Sequence, residues 1–356
     1  MKISQQPRFL QQSPEIASVR PCPSRGRARR PAASPTLSLR KVLRTAAQVS
    51  MGALLLQGRR SSGALAAPAP TRGLALPGLP DAAVAVPAVP RDLALEARAL
   101  PRNCQDVLTQ HNDDWRTGLQ KCETVLSAAK VTPKTFGKKG TFTLAGQAMA
   151  QPLYVHGLDF GGGKVRNTLI VTTMHNDVYA FDADHPGAPP LYHTTMGLPV
   201  ADAVDDVKEI GILSTPVIDR TTHTLYVVGA STVNGNRVYV LHGLDVRTGS
   251  GKIKPVTVEG SVPGNGAGAS GGTLPFNANV HLQRPGLLLQ NGQVSVAFAS
   301  KGDEGPYHGW IFSYDKRTLK RTGIFCASPN SRGNGIWQAG GGLAADESGN
   351  LFVAIG

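Results

Sequence analysis

A strand–turn–strand hairpin that ends in aspartate occurs three times in the second half of the chain, and this repeat constrains the fold more than any other feature of the sequence. The copies are "LIVTTMHNDVYAFDAD" (169–184), "LYVVGASTVNGNRVYVLHGLDVRTG" (225–249) and "VSVAFASKGDEGPYHGWIFSYDKRT" (294–318). The hairpins reach Asp182, Asp245 and Asp315, which lie 63 and 70 residues apart. An aspartate in this place can accept a hydrogen bond from the backbone two residues on and start the next turn.

A further strand precedes the hairpin. "STPVIDRTTHTLYVVGA" (214–230) matches "GGLAADESGNLFVAIG" (341–356), and the segments 150–174 and 283–300 fill the same slot more loosely. A repeat of roughly 55–70 residues with about four antiparallel strands is typical of one blade of a β-propeller. The alternative is a β-sandwich with similar hairpins, but the shared position of the aspartates favours blades.

The predicted fold class is therefore all-β, a β-propeller of four-stranded antiparallel blades over residues 145–356. Three blades and the start of a fourth are present, whereas a closed ring takes about four to eight. The sequence stops inside the apolar run "LFVAIG". We therefore expect a fragment that lacks its C-terminal blades.

The basic charge lies before the repeats. The formal net charge is +13, and residues 1–100 hold 15 Lys and Arg against 4 Asp and Glu, whereas the rest of the chain holds 22 against 20. Nucleic-acid binding needs basic residues clustered on the folded domain. This distribution argues against DNA or RNA as a partner, and no apolar run is long enough to predict a membrane span.

Residues 1–66 have the Arg- and Ser-rich, acid-poor composition of a targeting segment. A modest apolar stretch and the small residues Ala64-Leu65-Ala66 predict cleavage and an extracytoplasmic location. That location is secreted or periplasmic, or an organelle lumen in a eukaryote. The alternative is a basic tail that is never removed. Residues 67–100 are Pro- and Ala-rich and are expected to be a disordered linker.

The segment 101–144, which we call the lead-in segment, contains Cys104 and Cys122, 18 positions apart. They are candidates for a disulfide. Cys22 lies in the targeting segment, and Cys326 would remain as a buried thiol. The lead-in also carries "HNDDWRTG" at 111–118, whose polar residues could form a site but are expected instead to tie the lead-in segment to the blades.

Several long strings resemble exported proteins with quinoprotein-type (PQQ-like) β-propeller repeats. They span nearly all of 109–356 and none of 1–100, and include "NDVYAFDAD" (176–184), "EIGILSTPVID" (209–219) and "GIWQAGGGLAADESGNLFVAIG" (335–356). The resemblance implies one of two functions. Quinoprotein alcohol dehydrogenases hold pyrroloquinoline quinone (PQQ) and Ca²⁺ at the mouth of a closed ring, whereas many relatives bind no cofactor and serve as scaffolds or recognition surfaces.

The blade motif of that family, Ala-x-Asp-x-x-Thr-Gly-x-x-x-Trp, is only partly present. Ala180 and Asp182 match in the first copy, and Asp245, Thr248 and Gly249 match in the second. The docking Trp follows none of the three aspartates, and no Asp-x-Asp catalytic signature or vicinal Cys pair is found. These departures favour a non-catalytic binding module or scaffold, with no catalytic residues assigned. The alternative is a PQQ- and calcium-dependent dehydrogenase.

The loop "KGDEGPYHGW" (301–310) is longer and more polar than a hairpin needs, and loops on a rigid scaffold are where binding residues gather. His308 and Trp310 are therefore candidates for ligand contact, and Asp303 for a Ca²⁺ contact. The alternative is a structured turn in which His308 caps backbone groups and Trp310 starts the strand.

Two further loops supply candidates. In "SRGNGIWQAGGG" (331–342), Trp337 and Gln338 could contact a ligand, or Trp337 could pack between blades. In "DAVDDVKEIGI" (202–212), Glu209 is the candidate metal ligand, although a solvated acidic loop is the ordinary interpretation. The glycine run 268–272 matches G-x-S-x-G, but no helix pattern follows it, so we expect a loop. The predicted partner is a protein, a small molecule or a carbohydrate at the propeller face.

Overall fold

The structure of the protein, a computed structural model, describes residues 104–204 and 207–356. The predicted targeting segment (1–66), the linker (67–100) and Cys22 lie outside the described residues. The described backbone forms β-strands joined by turns and contains no α-helix. It accordingly offers no helix that is long and apolar enough to cross a membrane.

Blade 1 is a four-stranded antiparallel sheet whose strands follow one another in chain order. Its strands are β1 (Leu153–Asp159), β2 (Val165–Thr172), β3 (Asp177–Asp182) and β4 (Tyr192–Thr195). A separate hairpin follows it, formed by β5 (Val200–Val204) and β6 (Val207–Ile210).

Blade 2 repeats the same order of strands. Its strands are β7 (Val217–Asp219), β8 (Thr224–Val233), β9 (Asn236–Asp245) and β10 (Gly251–Thr257). A small two-stranded sheet comes next, with β11 (Ser261–Pro263) and β12 (Thr273–Pro275).

Blade 3 and the start of blade 4 complete the described chain. Blade 3 contains β13 (His281–Leu282) and β14 (Leu288–Gln290), which both pair with β15 (Gln293–Ser300), and then β16 (Trp310–Asp315) and β17 (Arg321–Cys326). Blade 4 begins with β18 (Ala344–Ala345) and β19 (Leu351–Phe352). The predicted all-β propeller fold is confirmed, with two four-stranded blades, a third blade of five strands in which β13 and β14 both pair with β15, and the start of a fourth.

The three repeat aspartates end the third strand of their blades and start the following turn. The Oδ1 atoms of Asp182, Asp245 and Asp315 each accept a hydrogen bond from the N–H two residues on, at 3.0, 2.9 and 3.0 Å. The aspartates therefore occupy equivalent positions because each turn needs the same local acceptor.

The middle strands of the blades are buried on both faces. All six residues of β3 and seven of the eight residues of β15 are buried. The largest apolar cluster joins blades 2 and 3 through side chains such as Tyr226, Tyr239, Phe298 and Phe312. The usual alternation of apolar and polar residues is lost in these strands because both faces are covered. In β3, blade 2 covers one face and Phe142 and Leu144 of the lead-in segment cover the other.

The lead-in segment runs along the first strands of the blades, which we call the inner edges. Val107 pairs with Tyr154 of β1, and the Leu108 carbonyl accepts the N–H of Ile218 in β7 at 2.9 Å. Further along, the Asp114 carbonyl accepts the N–H of Ala345 in β18 at 2.9 Å. Cys104 and Cys122 form a disulfide bond with a Cα–Cα distance of 5.7 Å.

Arg116 is the residue that ties the lead-in segment to blades 3 and 4. Its Nε donates to the Leu343 carbonyl at 2.8 Å, and its Nη2 donates to the Leu287 carbonyl at 3.1 Å. Its Nη1 donates to Thr109 Oγ1 at 2.6 Å and to the Gln110 carbonyl at 2.8 Å. Burial lowers the pKa of the Arg116 guanidinium to about 10, so the group remains charged at neutral pH. The guanidinium therefore joins the lead-in segment to the residues just before β14 and β18.

Replacing Arg116 by lysine tests this connection. A lysine keeps the charge but cannot reach two strand carbonyls and the lead-in backbone together, so buried acceptors lose their donors. We expect Arg116→Lys to lower the free energy of unfolding by about 2–4 kcal/mol in urea denaturation. Lys134→Gln, at an exposed position of the same segment, is the control and should change stability by less than about 0.5 kcal/mol. Equal stability of both variants would contradict the role given to Arg116.

Candidate functional site

Three loops beside blade 3 line a solvent-open cavity of about 670 Å³. They are the loop 264–272 between β11 and β12, the loop 301–309 between β15 and β16, and the loop 327–334 after β17. The cavity wall is formed by four polar side chains and five small or apolar residues: Asp303, Tyr307, Arg332 and Asn334, with Ala267, Gly305, Pro306, Gly333 and Gly356. The three loops singled out as glycine-rich or polar in the sequence therefore meet at one place.

Backbone hydrogen bonds join two of these loops. The N–H of Gly266 donates to the Pro329 carbonyl at 2.8 Å, and the N–H of Ala267 donates to the Ser331 carbonyl at 2.9 Å. A Cβ at Gly266 would fall within 3.0 Å of both carbonyl oxygens. Glycine is required here because only a residue without a side chain lets the two backbones approach this closely.

His308 connects all three loops. Its Nε2 lies 2.8 Å from the Ala267 carbonyl and its Nδ1 lies 3.0 Å from Ser328 Oγ. Nδ1 also lies 3.0 Å from the Ser328 carbonyl, so each ring nitrogen lies next to a carbonyl oxygen, which can only accept. The residue is 1% exposed, and both ring nitrogens are engaged by the protein. The prediction of ligand contact by His308 is corrected on this point: His308 positions the cavity wall, because burial leaves it no surface for a ligand.

His281 accepts a hydrogen bond from the backbone of His308. The N–H of His308 donates to His281 Nε2 at 3.0 Å, and His281 Nδ1 donates to the Asn277 carbonyl at 2.6 Å. This pattern requires a neutral imidazole with its proton on Nδ1. Burial lowers the pKa of His281 to about 4, which maintains that form at neutral pH.

Asp303 is oriented by a buried serine. Ser300 Oγ donates to Asp303 Oδ1 at 2.8 Å and accepts the N–H of Asp303 at 3.0 Å. Asp303 has a φ of 60°, a left-handed conformation that aspartate tolerates better than most residues. The carboxylate is consequently held in one orientation at the cavity wall.

Tyr307 lies between the two charged groups of the cavity. Burial, followed by the negative charge of Asp303, raises the pKa of the Tyr307 hydroxyl, and the positive charge of Arg332 opposes this effect. The hydroxyl is therefore protonated at neutral pH and can donate a hydrogen bond. The Tyr307 carbonyl accepts the N–H of Gly333 at 2.8 Å, which ties the two loops together.

The predicted ligand contacts Trp310, Trp337 and Gln338 do not line the cavity. Trp310 is fully buried as the first residue of β16, where its ring stacks on Phe312 at a centroid distance of 5.9 Å. Trp337 is partly buried, and the Arg284 guanidinium lies over its ring at 5.4 Å. For Trp310 the prediction of ligand contact is corrected, because the first residue of an apolar strand is enclosed by the core. Trp337 and Gln338 are partly exposed, and for them ligand contact stays a prediction.

The two predicted metal ligands lie in different surroundings. Glu209 Oε1 lies 3.0 Å from His175 Nδ1, whereas Asp303 is held by Ser300. Within 104–204 and 207–356 no group of three or more His, Cys, Asp or Glu side chains could hold a metal ion. Glu209 and Asp303 therefore stay separate predicted cation contacts, each in its own loop.

The described residues do not fit PQQ at the inner edges either. Arg116 and the rest of "HNDDWRTG" lie against the ends of the first strands, where their donors meet the Leu287 and Leu343 carbonyls. Gln110 is buried in the same region, with 6% of its surface exposed, and its Oε1 accepts a hydrogen bond from Thr215 Oγ1. A planar cofactor at this position would have to displace hydrogen-bonded lead-in residues.

Sequence reasoning did not find Tyr307, Arg332 or Asn334. Each lies within one of the quoted loop strings, but each is less conspicuous there than the neighbouring histidine or tryptophan. The sequence does contain a signal for their exposure: these three residues lie farther from the adjoining apolar runs than Trp310 does. Residues at a loop tip remain open to solvent, whereas those next to a strand are drawn into the core.

Comparison with solved structures found similar chains, two of which are described here. No protein-family model and no curated protein matches the chain. A europium-containing methanol dehydrogenase is similar over 53% of this chain and 26% of its own length, with 14% identity and a TM-score of 0.34. BamB from Moraxella catarrhalis is similar over 51% of this chain and 65% of its own length, with 10% identity and a TM-score of 0.23. The chain thus spans less than two thirds of either protein.

The buried His281 makes stability depend on pH. Its pKa is about 4 in the folded chain and about 6.5 when unfolded. Unfolding therefore takes up a proton between these values, so stability is complete above about pH 6.5 and falls as the pH drops towards 4. We expect His281→Gln to reduce this loss by up to about 3 kcal/mol, measured by urea denaturation across the pH range.

His242 provides the comparison for that measurement. Burial also lowers its pKa to about 4, but it lies in β9, away from the cavity loops. His242→Gln should reduce the same pH dependence. A pH dependence that is unchanged in His281→Gln would mean that His281 is charged in the folded protein.

Proposed function

We propose that the chain is a non-catalytic binding module of an exported β-propeller protein and that it takes its ligand in the three-loop cavity. The supporting observation is the arrangement of four polar side chains on a rigid wall. Ser300 orients Asp303, and the buried His308 joins the loops that carry Tyr307 and Arg332. A site with oriented polar groups loses less conformational entropy when a ligand binds.

The chemistry of the cavity favours binding over catalysis. General acid–base catalysis needs a group that can exchange a proton at neutral pH. Burial and Asp303 raise the pKa of Tyr307, so this hydroxyl donates hydrogen bonds without ionising. His308, the nearest histidine in the same loop, uses both ring nitrogens to hold Ala267 and Ser328. The wall is therefore suited to recognition of a protein segment or a small molecule.

Export is supported by two features of the chain. Residues 1–66 have the composition of a targeting segment, and the lead-in segment contains the Cys104–Cys122 disulfide, a bond that persists in oxidising compartments. We expect the native protein to begin near Ala67, outside the cytoplasm. Intact mass and N-terminal peptide analysis of native material checks this, and an intact Met1 would contradict it.

Ligand titration separates the binding module from a PQQ- and calcium-dependent dehydrogenase. We expect native protein to show no stoichiometric uptake of PQQ with Ca²⁺, measured by calorimetry and quinone absorbance. We also expect at least one ligand in a panel of neutral saccharides, tripeptides and nucleotides to raise the melting temperature, because a ligand that binds only the folded state stabilises it.

The control is an arginine at the opposite end of the blade. Arg332→Ala should abolish the ligand-induced shift, whereas Arg317→Ala, at an exposed turn after Asp315, should leave it unchanged. Tight 1:1 uptake of PQQ would overturn the proposal. So would a panel in which no shift depends on Arg332.

A further inference from the structure

The charged groups of the cavity balance each other. Asp303 and Arg332 are the two ionised side chains on its wall, and the other polar groups, Tyr307 and Asn334, are neutral. A ligand with a strong net charge would be attracted by one charged group and repelled by the other. The wall therefore favours a neutral polar ligand.

Three of these side chains end in planar groups with a defined hydrogen-bonding pattern. The carboxylate of Asp303 accepts, the guanidinium of Arg332 donates, and the amide of Asn334 does both. A pair of neighbouring hydroxyl groups can donate and accept at the same time, so it can satisfy each of these planar groups in turn. A polyhydroxylated ligand matches all of them better than an apolar one does.

Tyr307 adds an aromatic surface next to the planar polar groups. The side chain is partly buried and lines the cavity, and its hydroxyl interacts with the neighbouring Asp303 carboxylate. An amphipathic ring of this kind packs against apolar C–H groups and offers its hydroxyl as a donor. The C–H face of a pyranose ring, with hydroxyl groups at its edge, has the complementary shape.

The size and rigidity of the cavity agree with such a ligand. Its volume of about 670 Å³ lies within the range of about 300–1,000 Å³ that is usual for small-molecule sites. Ser300 holds Asp303, and Gly333 is tied to the Tyr307 carbonyl at 2.8 Å. The Asp303 carboxylate and the backbone of Tyr307 are therefore held in position without a ligand.

We propose that the three-loop cavity binds a neutral saccharide of one to three pyranose units, with a C–H face on Tyr307 and vicinal hydroxyl groups on Asp303 and Arg332. This assignment rests on the proposed binding function and adds the class of ligand. The site lies in the loops beside blade 3 and is separate from the inner edges, which the lead-in segment covers.

Isothermal titration calorimetry of the full native chain tests the assignment. The probes are maltotriose, cellotriose, mannotriose and triacetylchitotriose, with a trimer of galacturonic acid and the peptide Gly-Tyr-Gly for comparison. We expect saturable binding of at least one neutral trisaccharide with a Kd below about 1 mM. The acidic trimer is attracted by Arg332 and repelled by Asp303, so we expect it to bind no more tightly than the neutral trisaccharides.

Variants locate the binding in the cavity. Tyr307→Ala and Asp303→Asn should each weaken the trisaccharide at least about tenfold, equivalent to about 1.4 kcal/mol. Tyr307→Phe keeps the ring and should weaken it less than Tyr307→Ala does. Arg317→Ala is the matched control and should bind like the unchanged chain. Circular dichroism of each variant confirms that it is folded.

The outcomes distinguish the two proposals. If no neutral trisaccharide binds with a Kd below about 5 mM, or if binding is unchanged in Tyr307→Ala, the saccharide assignment is overturned. If Gly-Tyr-Gly binds instead and Arg332→Ala abolishes its binding, the saccharide assignment fails while the binding function stands. If no probe shows binding that Arg332→Ala weakens, the saccharide assignment fails. If, in addition, no ligand of the wider panel shows binding that Arg332→Ala weakens, the proposed binding function fails as well.

Discussion

The hydrogen bonds between the lead-in segment and the inner edges hold the blades together. A propeller blade presents the backbone of its first strand at one edge, and unpaired backbone groups there are costly when buried. Val107, Leu108 and Asp114 supply backbone partners to blades 1, 2 and 4, and Arg116 reaches blades 3 and 4 with its side chain. One short segment therefore connects every blade that is present.

This connection also bears on the proposed ligand site. The lead-in residues take up the inner ends of the first strands, and the site that we propose lies instead in the loops beside blade 3. There, His308 and His281 join three loops through buried hydrogen bonds to Ala267, Ser328 and Asn277. Since each bond involves a buried polar group, losing one leaves an unsatisfied partner, and the loops are correspondingly rigid.

The fold followed from local patterns, whereas the site residues did not. The hairpin repeat and its aspartates predicted four-stranded blades, because a turn that begins at Asp182, Asp245 or Asp315 depends only on nearby residues. The chemistry of His308 and Trp310 makes them candidates for ligand contact, but the structure buries both. Whether a side chain in a short loop faces solvent depends on the strand and the loops packed beside it, which are distant in sequence.

The sequence by itself determined the class of fold, the strand order within each blade and the turns that carry the repeat aspartates. These properties arise from strand periodicity and local hydrogen bonds, both of which depend on residues that are close together in the sequence. Only the tertiary structure decided that Asp303, Tyr307, Arg332 and Asn334 share one cavity and that Arg116 joins the blades. Such contacts link residues up to 227 positions apart, as between Arg116 and Leu343, and they depend on how the blades pack face to face.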